Sequence, residues 1–461
     1  MIATSDPRAS EAGAALLQEG GNAVDAAVTA ALALLVLEPH ACGLGGDAFL
    51  LLQIPGRPPE ALDGSGAVPA RLAAAGADED YEAIPRTGPR TFTVPGAVDL
   101  FETALARYGT IDLARAIRPG RDLAAEGFAV RPTLAASARG MAEHLAADPV
   151  LAALYLPGGA PVREGDVVRN ERLAATLDAI ATGGARQLYE GELGHAIADR
   201  SAEVGGYLQL DDLQAHRTLP MVPISGTFRG SEVWELPPPT QGHGVLTALS
   251  TLESGGRFDS DSLVSAITAG MLATGVDLRA ASAPAGGDTT YVAVIDDAGL
   301  GVSLITSIFS EFGSTVGVPA LGGPLQNRAL GISVLGQRPR PGKPPHTTIP
   351  ALVRREGELS HVLGVVGGYM QAQGQVQVLV NLLVHGMAPQ QAIDAPRLRV
   401  LPGGRLAVEP GHDLATRMPE ALERDPGNGG FGGCQVVARE GTHLVGGSDP
   451  RRGGAVIAVP T

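Results

Sequence analysis

Cysteine is almost missing from this chain of 461 residues: only Cys42 and Cys434 occur. They lie far apart and match no metal-ligand spacing, so a disulfide framework is not expected. Histidine is scattered, and none of the ten has another four residues away, which removes the His-x-x-x-His pair of a helical metal site. No metal and no cofactor are expected. Basic residues are also short, with 34 Lys and Arg against 49 Asp and Glu for a net charge of −15. Phosphate binding depends on Lys and Arg, and no basic stripe with interleaved aromatics appears, so nucleic acid is not the expected partner. Long apolar runs are missing too. The longest, Ala26 to Leu37, contains Thr29 and stops at Glu38-Pro39, too short to cross a bilayer. No charged start followed by an apolar core precedes it, so no secretory signal is visible. A cytoplasmic location without a membrane partner is the expectation.

What remains is a chain with ample core: 44% of residues are hydrophobic and 18% charged. Its length suits two or three average domains or one large layered domain. Gly (63) and Pro (35) are abundant but form no low-complexity tract, which implies many turns and close backbone approaches.

The pattern along the chain changes once. Ser10 is placed to cap a helix over Glu11–Glu19 that ends at Gly20-Gly21. Asn22 is placed to cap a second helix, Ala23–Leu37, which is apolar nearly all round and so expected to be buried. The turn Gly43-Leu44-Gly45-Gly46 leads into a strand over Ala48–Gln53. A dinucleotide fingerprint follows a strand and opens a helix; this turn has the reverse order, so a close helix-to-strand corner explains it better than phosphate binding. Helical patterns dominate from Val98 to Glu203. Beyond Pro220 short β-rich runs appear, and from Thr289 strands prevail at Tyr291–Ile295, Gly301–Thr306 and His361–Val366, followed by a helix over Gln371–His385. A helical half followed by a strand-rich half implies a layered α/β protein with antiparallel sheets sharing one core.

Thr289-Thr290 follows Gly286-Gly287-Asp288 and opens a strand-like run. A threonine freed at a new N-terminus carries a hydroxyl nucleophile and an amine on one residue. That amine, with an unperturbed pKa of roughly 7.7–8.0, can serve as the hydroxyl's general base. The same residues also suit a plain loop entering a strand, where Thr is a good strand former. Gly367-Gly368 separates an apolar strand from a helix. Two consecutive glycines let backbone N–H groups converge on one point, and losing one such donor from an oxyanion site typically costs about 2.7–4 kcal/mol of transition-state stabilisation. A tight strand-helix turn is the structural alternative. The loop Gly342-Lys343-Pro344-Pro345-His346-Thr347-Thr348 offers an imidazole and two hydroxyls, and Leu325-Gln326-Asn327-Arg328 an amide pair and a guanidinium suited to a carboxylate. Taken alone, such groups usually sit on solvated loops and turns.

Taken together and in order, these features resemble the γ-glutamyltransferase family of N-terminal nucleophile hydrolases. The resemblance runs almost end to end. It is carried by Ala3-Thr4-Ser5-Asp6-Pro7, Gly20-Gly21-Asn22-Ala23-Val24-Asp25-Ala26-Ala27, Glu38-Pro39-His40, Val94-Pro95-Gly96, Phe228-Arg229-Gly230, Pro237-Pro238-Pro239, Gly367-Gly368 and Ser448-Asp449-Pro450-Arg451. It implies a four-layer αββα sandwich made as one precursor that cuts itself between Asp288 and Thr289. The pieces would be a heavy region 1–288 and a light region 289–461 within one core. Thr289 would attack a γ-glutamyl or related amide, with Gly367 and Gly368 as oxyanion hole and Ser307 as a second hydroxyl. An acyl-enzyme would then pass to water or an amine. The partners implied are a small amide substrate and that acceptor.

Departures from the family pattern bear on the substrate. The stretch Asp63-Gly64-Ser65-Gly66 lacks the Arg that holds the substrate's α-carboxylate in γ-glutamyl enzymes. Phe309 stands where an Asn is usual, Gly331 or Leu330 where an acidic residue grips the α-ammonium group, and Thr347-Thr348 where the family has a serine pair. With Asn327, Arg328 and His346, these changes resemble a divergent branch of amidohydrolases and acylases, in which a buried Arg328 and His346 would hold a substrate carboxylate elsewhere. True glutathione-type chemistry and an unprocessed binding protein are the competing expectations. The segment between Ile267 and Thr289 is short for the family, with Gly270-Met271-Leu272 and Leu278-Arg279-Ala280 as apparent remnants.

Overall fold

The computed structural model describes residues 1–78, 80–278, 288–418, 422–423 and 430–460. Gly286-Gly287 and Arg279-Ala280 lie outside the described residues. The main strands, in chain order, are β1 (Ile2–Thr4), β2 (Asp47–Gln53), β3 (Glu60–Gly64), β4 (Leu219–Met221), β5 (Ile224–Phe228), β6 (Ser231–Glu235), β7 (Asp288–Ile295), β8 (Gly301–Phe309), β9 (Ala351–Arg355), β10 (Glu358–Val366), β11 (Gly433–Glu440), β12 (His443–Ser448) and β13 (Ala455–Ile457). They form two large sheets. The seven-stranded sheet has the order β13-β1-β7-β8-β2-β3-β4 and the six-stranded sheet β12-β11-β10-β9-β6-β5. Every pairing within both is antiparallel.

Side chains alternate across a strand, so each sheet has two faces to bury. On β7, Val292 and Val294 turn to one side and join a core with the helices α1 (Pro7–Gln18) and α2 (Ala23–Leu37). Tyr291, Ala293 and Ile295 turn to the other and meet Leu352, Val362 and Val366 of the second sheet. The outer face of that sheet, with Val353, Leu363 and Val365, packs on helices α3 (Gly242–Gly255), α4 (Ser260–Ala273) and α5 (Met370–Leu383). Helix, sheet, sheet and helix are thus stacked, the αββα sandwich that the sequence implies. Thr289 has the parity of Tyr291, which turns its side chain to the face between the sheets.

Local chemistry explains the helices nearest the site. Asn22 caps α2 as expected: its Oδ1 accepts from Val24 N–H at 2.9 Å and Asp25 N–H at 3.1 Å, while Asp25 accepts from Asn22 N–H at 2.9 Å. This reciprocal pair fixes the helix start, and every residue of α2 is buried. The expected cap of α1 needs correction. That helix begins at Pro7, with Asp6 as its cap accepting from Arg8 N–H at 3.0 Å. Proline is preorganised for a first helical position. Ser10 lies inside the helix, bonded to Thr4 Oγ1 at 2.8 Å and donating to Ala455 O at 2.9 Å. Gly270-Met271-Leu272 belongs to the last turn of α4. Among the described residues no helix is long and apolar enough to cross a membrane.

The turn Gly43–Gly46 is a close corner. Gly45 bridges Leu325 directly, and a Cβ on Gly45 would lie 2.5 Å from Pro324 O. The backbone approach that brings Gln326-Asn327-Arg328 beside β2 therefore requires glycine there.

Candidate active site

Strand β7 opens on Asp288-Thr289, and its neighbour β8 carries an irregularity opposite. Thr306 faces Thr290, but Phe309 faces Asp288, so β8 takes one extra residue over this step. Such a bulge re-aims a side chain. Ser307 is the side chain re-aimed: its Oγ donates to the carbonyl of Asp288 at 2.8 Å and accepts from Phe309 N–H at 2.9 Å. Phe309 adopts φ 78°, strained for a residue with a side chain.

The Thr289 hydroxyl is buried between two acceptors. Ser307 Oγ lies 3.4 Å away. The side-chain amide of Gln371, in the first turn of α5, lies 3.1 Å away. The surrounding acceptors fix the orientation of that amide: its nitrogen donates to Thr347 O at 2.8 Å and Val365 O at 3.3 Å, and its oxygen accepts from Thr289. Gln371 was not singled out in the sequence as a site residue. Its only signal there is its position at a helix start just after the glycine pair.

Gly367 and Gly368 lie at the junction of β10 and α5 with φ values of 116° and 57°, a region that favours glycine. A Cβ on Gly367 would sit 2.9 Å from Gly432 Cα. Their carbonyls accept from Met370 N–H and Gln371 N–H, at 3.0 and 3.1 Å, so the glycine turn is tied to the helix turn whose Gln371 touches Thr289.

His346, Thr347 and Thr348, at the end of their loop, are buried, not solvated. Arg328 is fully buried as well. None of its three guanidinium nitrogens has a hydrogen-bond partner among the described residues. Its nearest ionic neighbour is Asp47 Oδ2, 4.0 Å from Nε, and its Cζ stands 4.5 Å from the centre of the Phe309 ring. Burial lowers Arg328 to about 10, against the opposing pull of Asp47. His346 presents two buried ring nitrogens without hydrogen bonds among the described residues, one 3.6 Å from Asp47 Oδ2, and its ring meets Phe49 edge to face at 5.0 Å. Burial, then the charges of Arg328 and Lys343, hold it well below its usual pKa. Asp47 accepts from Gln326 Nε2 at 2.9 Å and Gly66 N–H at 3.0 Å, while burial raises it to about 7 against the effect of Arg328.

Asn327 faces elsewhere. Its oxygen accepts from Ser310 N–H at 3.0 Å and its nitrogen donates to Arg86 O at 2.9 Å, which pins the bulged end of β8 to the 80s loop. Thr347 is tied to Thr289 through Gln371, and Thr348 Oγ1 is buried without a partner among the described residues. Phe309 joins the two clusters, binding Ser307 through its N–H and Arg328 through its ring. A cavity of about 410 Å³ opens against His346, Thr347 and Tyr369, with Arg338, Arg340 and Lys343 on its wall. Lys343 pairs with Asp63 at 2.8 Å, on the stretch that lacks the family arginine. Among the described residues no group of three His, Cys, Asp or Glu side chains is placed to hold a metal ion.

Two antiparallel sheets between helical layers, with a hydroxyl residue opening a central strand, define an N-terminal nucleophile hydrolase. The sequence model of the gamma-glutamyltranspeptidase family matches residues 9–273 and 268–459, and the chain belongs to that family of enzymes. It is 32% identical over 520 residues to a glutathione hydrolase-like YwrD proenzyme of Bacillus subtilis, covering 100% of this chain and 98% of that one. It is 32% identical over 437 residues to an oxamate amidohydrolase proenzyme of Klebsiella pneumoniae, covering 84% and 83%. The crystal structure of cephalosporin acylase from Bacillus halodurans superimposes with a TM-score of 0.91 at 33% identity, covering 100% and 96%.

Proposed function

We propose that this chain cuts itself between Asp288 and Thr289 and then uses Thr289 to cleave a small amide bearing a carboxylate. The observation that carries the reading is the placement of the Thr289 hydroxyl beside Ser307, whose own hydroxyl polarises the Asp288 carbonyl at 2.8 Å. In the first stage Thr289 Oγ adds to that carbonyl carbon. The bond from the carbonyl carbon to Thr289 N breaks, and the hydroxyl proton ends on the nitrogen. Water hydrolyses the resulting ester, leaving a carboxyl group on Asp288 and a free amine and hydroxyl on Thr289. The products are a heavy region 1–288 and a light region 289–461.

In the second stage the Thr289 amine takes the hydroxyl's proton as Oγ attacks the substrate carbonyl. Gly367 and Gly368 supply N–H groups to the oxyanion, and Ser307 and Gln371 orient the hydroxyl. The amide's amine leaves with a proton, and water or an acceptor amine releases the acyl group. Arg328, with its unmet donors, is the group best suited to hold a carboxylate, and His346 adds a second contact. The wall of the cavity is cationic, which favours acidic substrates. Support for a donor other than glutathione comes from the missing arginine at Asp63–Gly66, Phe309 in place of an Asn, and the likeness to an oxamate amidohydrolase. The likeness to the glutathione hydrolase-like relative keeps γ-glutamyl amides as the second reading.

Denaturing gels and N-terminal sequencing test the first stage. The purified 46.9 kDa chain should yield two pieces, the smaller beginning at Thr289, and Thr289→Ala should stay whole. Cleavage persisting in Thr289→Ala would exclude this nucleophile. A panel of oxamyl, glutaryl and γ-glutamyl amides tests the second. Weak γ-glutamyl turnover is expected, and efficient, selective γ-glutamyl transfer would reverse the choice of donor.

A further inference from the structure

Two motifs play no part in that chemistry: Glu38-Pro39-His40, after α2, and Asp449-Pro450-Arg451-Arg452, after β12. The fold brings both to the scissile bond. Arg452 closes on Asp288 with both ends of its guanidinium, Nη2 to Oδ1 at 2.9 Å and Nη1 to Oδ2 at 3.2 Å. His40 Nε2 stands 3.4 Å from the same Oδ2. Asp288 Oδ1 also accepts from Thr289 N–H at 3.0 Å. The scissile peptide is therefore held from both sides, its carbonyl by Ser307 and its acidic side chain by Arg452.

We propose that Arg452, assisted by His40, is a positioning residue for self-cleavage, fixing the Asp288 side chain so that its carbonyl is presented to the Thr289 hydroxyl. This rests on the reading of Asp288–Thr289 as the cut site. A bidentate guanidinium–carboxylate pair fixes direction as well as distance. Holding the end of a two-bond side chain removes most of the freedom by which the attached peptide could turn away from its attacker. Proximity of that kind is a rate effect, since misplacement by about 1 Å can cost on the order of 100-fold.

The groups behind the clamp keep it directed at Asp288. Glu38 and Asp449 are the other carboxyls that act on Arg452; Asp449 is bonded to Arg397 at 2.7 Å, and Glu38 accepts from Ser5 Oγ at 2.9 Å. Burial, then Asp6 and Asp288, raise Glu38 to about 8, so as a neutral acid it competes poorly for the guanidinium. Burial holds His40 at about 4, against the pull of Asp288, so it meets Asp288 as a neutral ring. Arg451, the neighbour of the clamp, is committed elsewhere, to Glu409 and to Asp449 at 3.1 Å.

A double-mutant cycle decides the matter, following the appearance of the Thr289 N-terminus by mass spectrometry in Arg452→Met, Asp288→Asn and the pair. Each single substitution is expected to slow maturation by about 10- to 100-fold, and the pair to be no slower than the worse single. Maturation of Arg452→Met at the native rate overturns the proposal, as does a double variant whose slowing is the product of the two singles. If Arg452→Met does not fold, Asp288→Asn alone decides, because it keeps the side-chain size; native-rate maturation there overturns the clamp. Cleavage in Thr289→Ala, or a new N-terminus elsewhere, would instead remove the cut-site reading.

Discussion

Glu38 shows how a single buried acid ties stability to pH. It sits fully buried beside Ser5 and Arg452, and burial with the nearby charges of Asp6 and Asp288 raises it from its ordinary 4.5 to about 8. Between those values the folded protein keeps a proton that the unfolded chain has released. Stability therefore falls as pH rises through that window. Glu38→Gln retains an acceptor for the Ser5 hydroxyl and removes the titration. In the uncleaved Thr289→Ala background, its melting temperature relative to the parent should rise between pH 5 and pH 8. An offset that stays constant across that range would contradict the assignment. His40 works in the opposite sense: burial lowers it to about 4, so it penalises folding as pH falls below its ordinary 6.5. At this scale the sequence was partly legible. Thr289 and the glycine pair belong to contiguous motifs, Ser307 came from the family resemblance, and strand parity alone turns Thr289 toward the face between the sheets. Gln371, Asp47 and the pairing of Arg452 with Asp288 were not legible as site groups. Asp288 and Arg452 are 164 residues apart in the chain, and only the closing of two sheets brings them together. The burial of Arg328 and His346 was an expectation of the family resemblance alone, since polar loops are ordinarily solvated and nothing local marks the exception.

Elements were easier to read than the contacts between them. The capping box at Asn22 and the apolar length of α2 are local properties, and they predicted that helix to the residue. Helix α1 begins four residues before the expected Glu11, because Pro7 and Asp6 supply a better start than Ser10. The close approach of β7 to β10 had no local sign beyond a glycine. Gly364 lies on the face of β10 that meets Tyr291, and a Cβ there would come within 2.4 Å of the ring. Tyr291 has little room to yield, being fully buried with its hydroxyl 2.6 Å from Ser303 Oγ. Gly364→Ala should therefore destabilise the protein by about 1–3 kcal/mol, the usual cost of overpacking. Tyr291 is two residues from Thr289 on the same face, so the displaced strand should also slow maturation. Denaturant melts give the first quantity and the rate of appearance of the two pieces the second. An alanine variant with native stability would mean that the sheets can separate without cost, against the packing described here.

At the scale of the whole molecule, the proposed cut between Asp288 and Thr289 would divide a chain whose sheets are not divided with it. In the seven-stranded sheet, β7 and β8 from beyond residue 288 lie between β1 and β2 from before it, and β13 from beyond it pairs with β1 at the edge. In the other sheet β9 pairs with β6 across the same boundary. Ladder hydrogen bonds and the core between the sheets therefore join the two regions along their length. Each fragment alone would expose strand edges and an apolar face normally covered by the other, a combination prone to aggregation. After self-cleavage the pieces should thus co-elute in native size exclusion at the position of the uncleaved Thr289→Ala chain, and separate only in denaturant. Light and heavy regions that part under native conditions would show that contacts across the boundary contribute little. The interleaving also suits the proposed cut. Breaking one peptide at the start of β7 would free the amine of Thr289 while the strand stays paired on both sides, so a new terminus would be created without disturbing the frame that aims it.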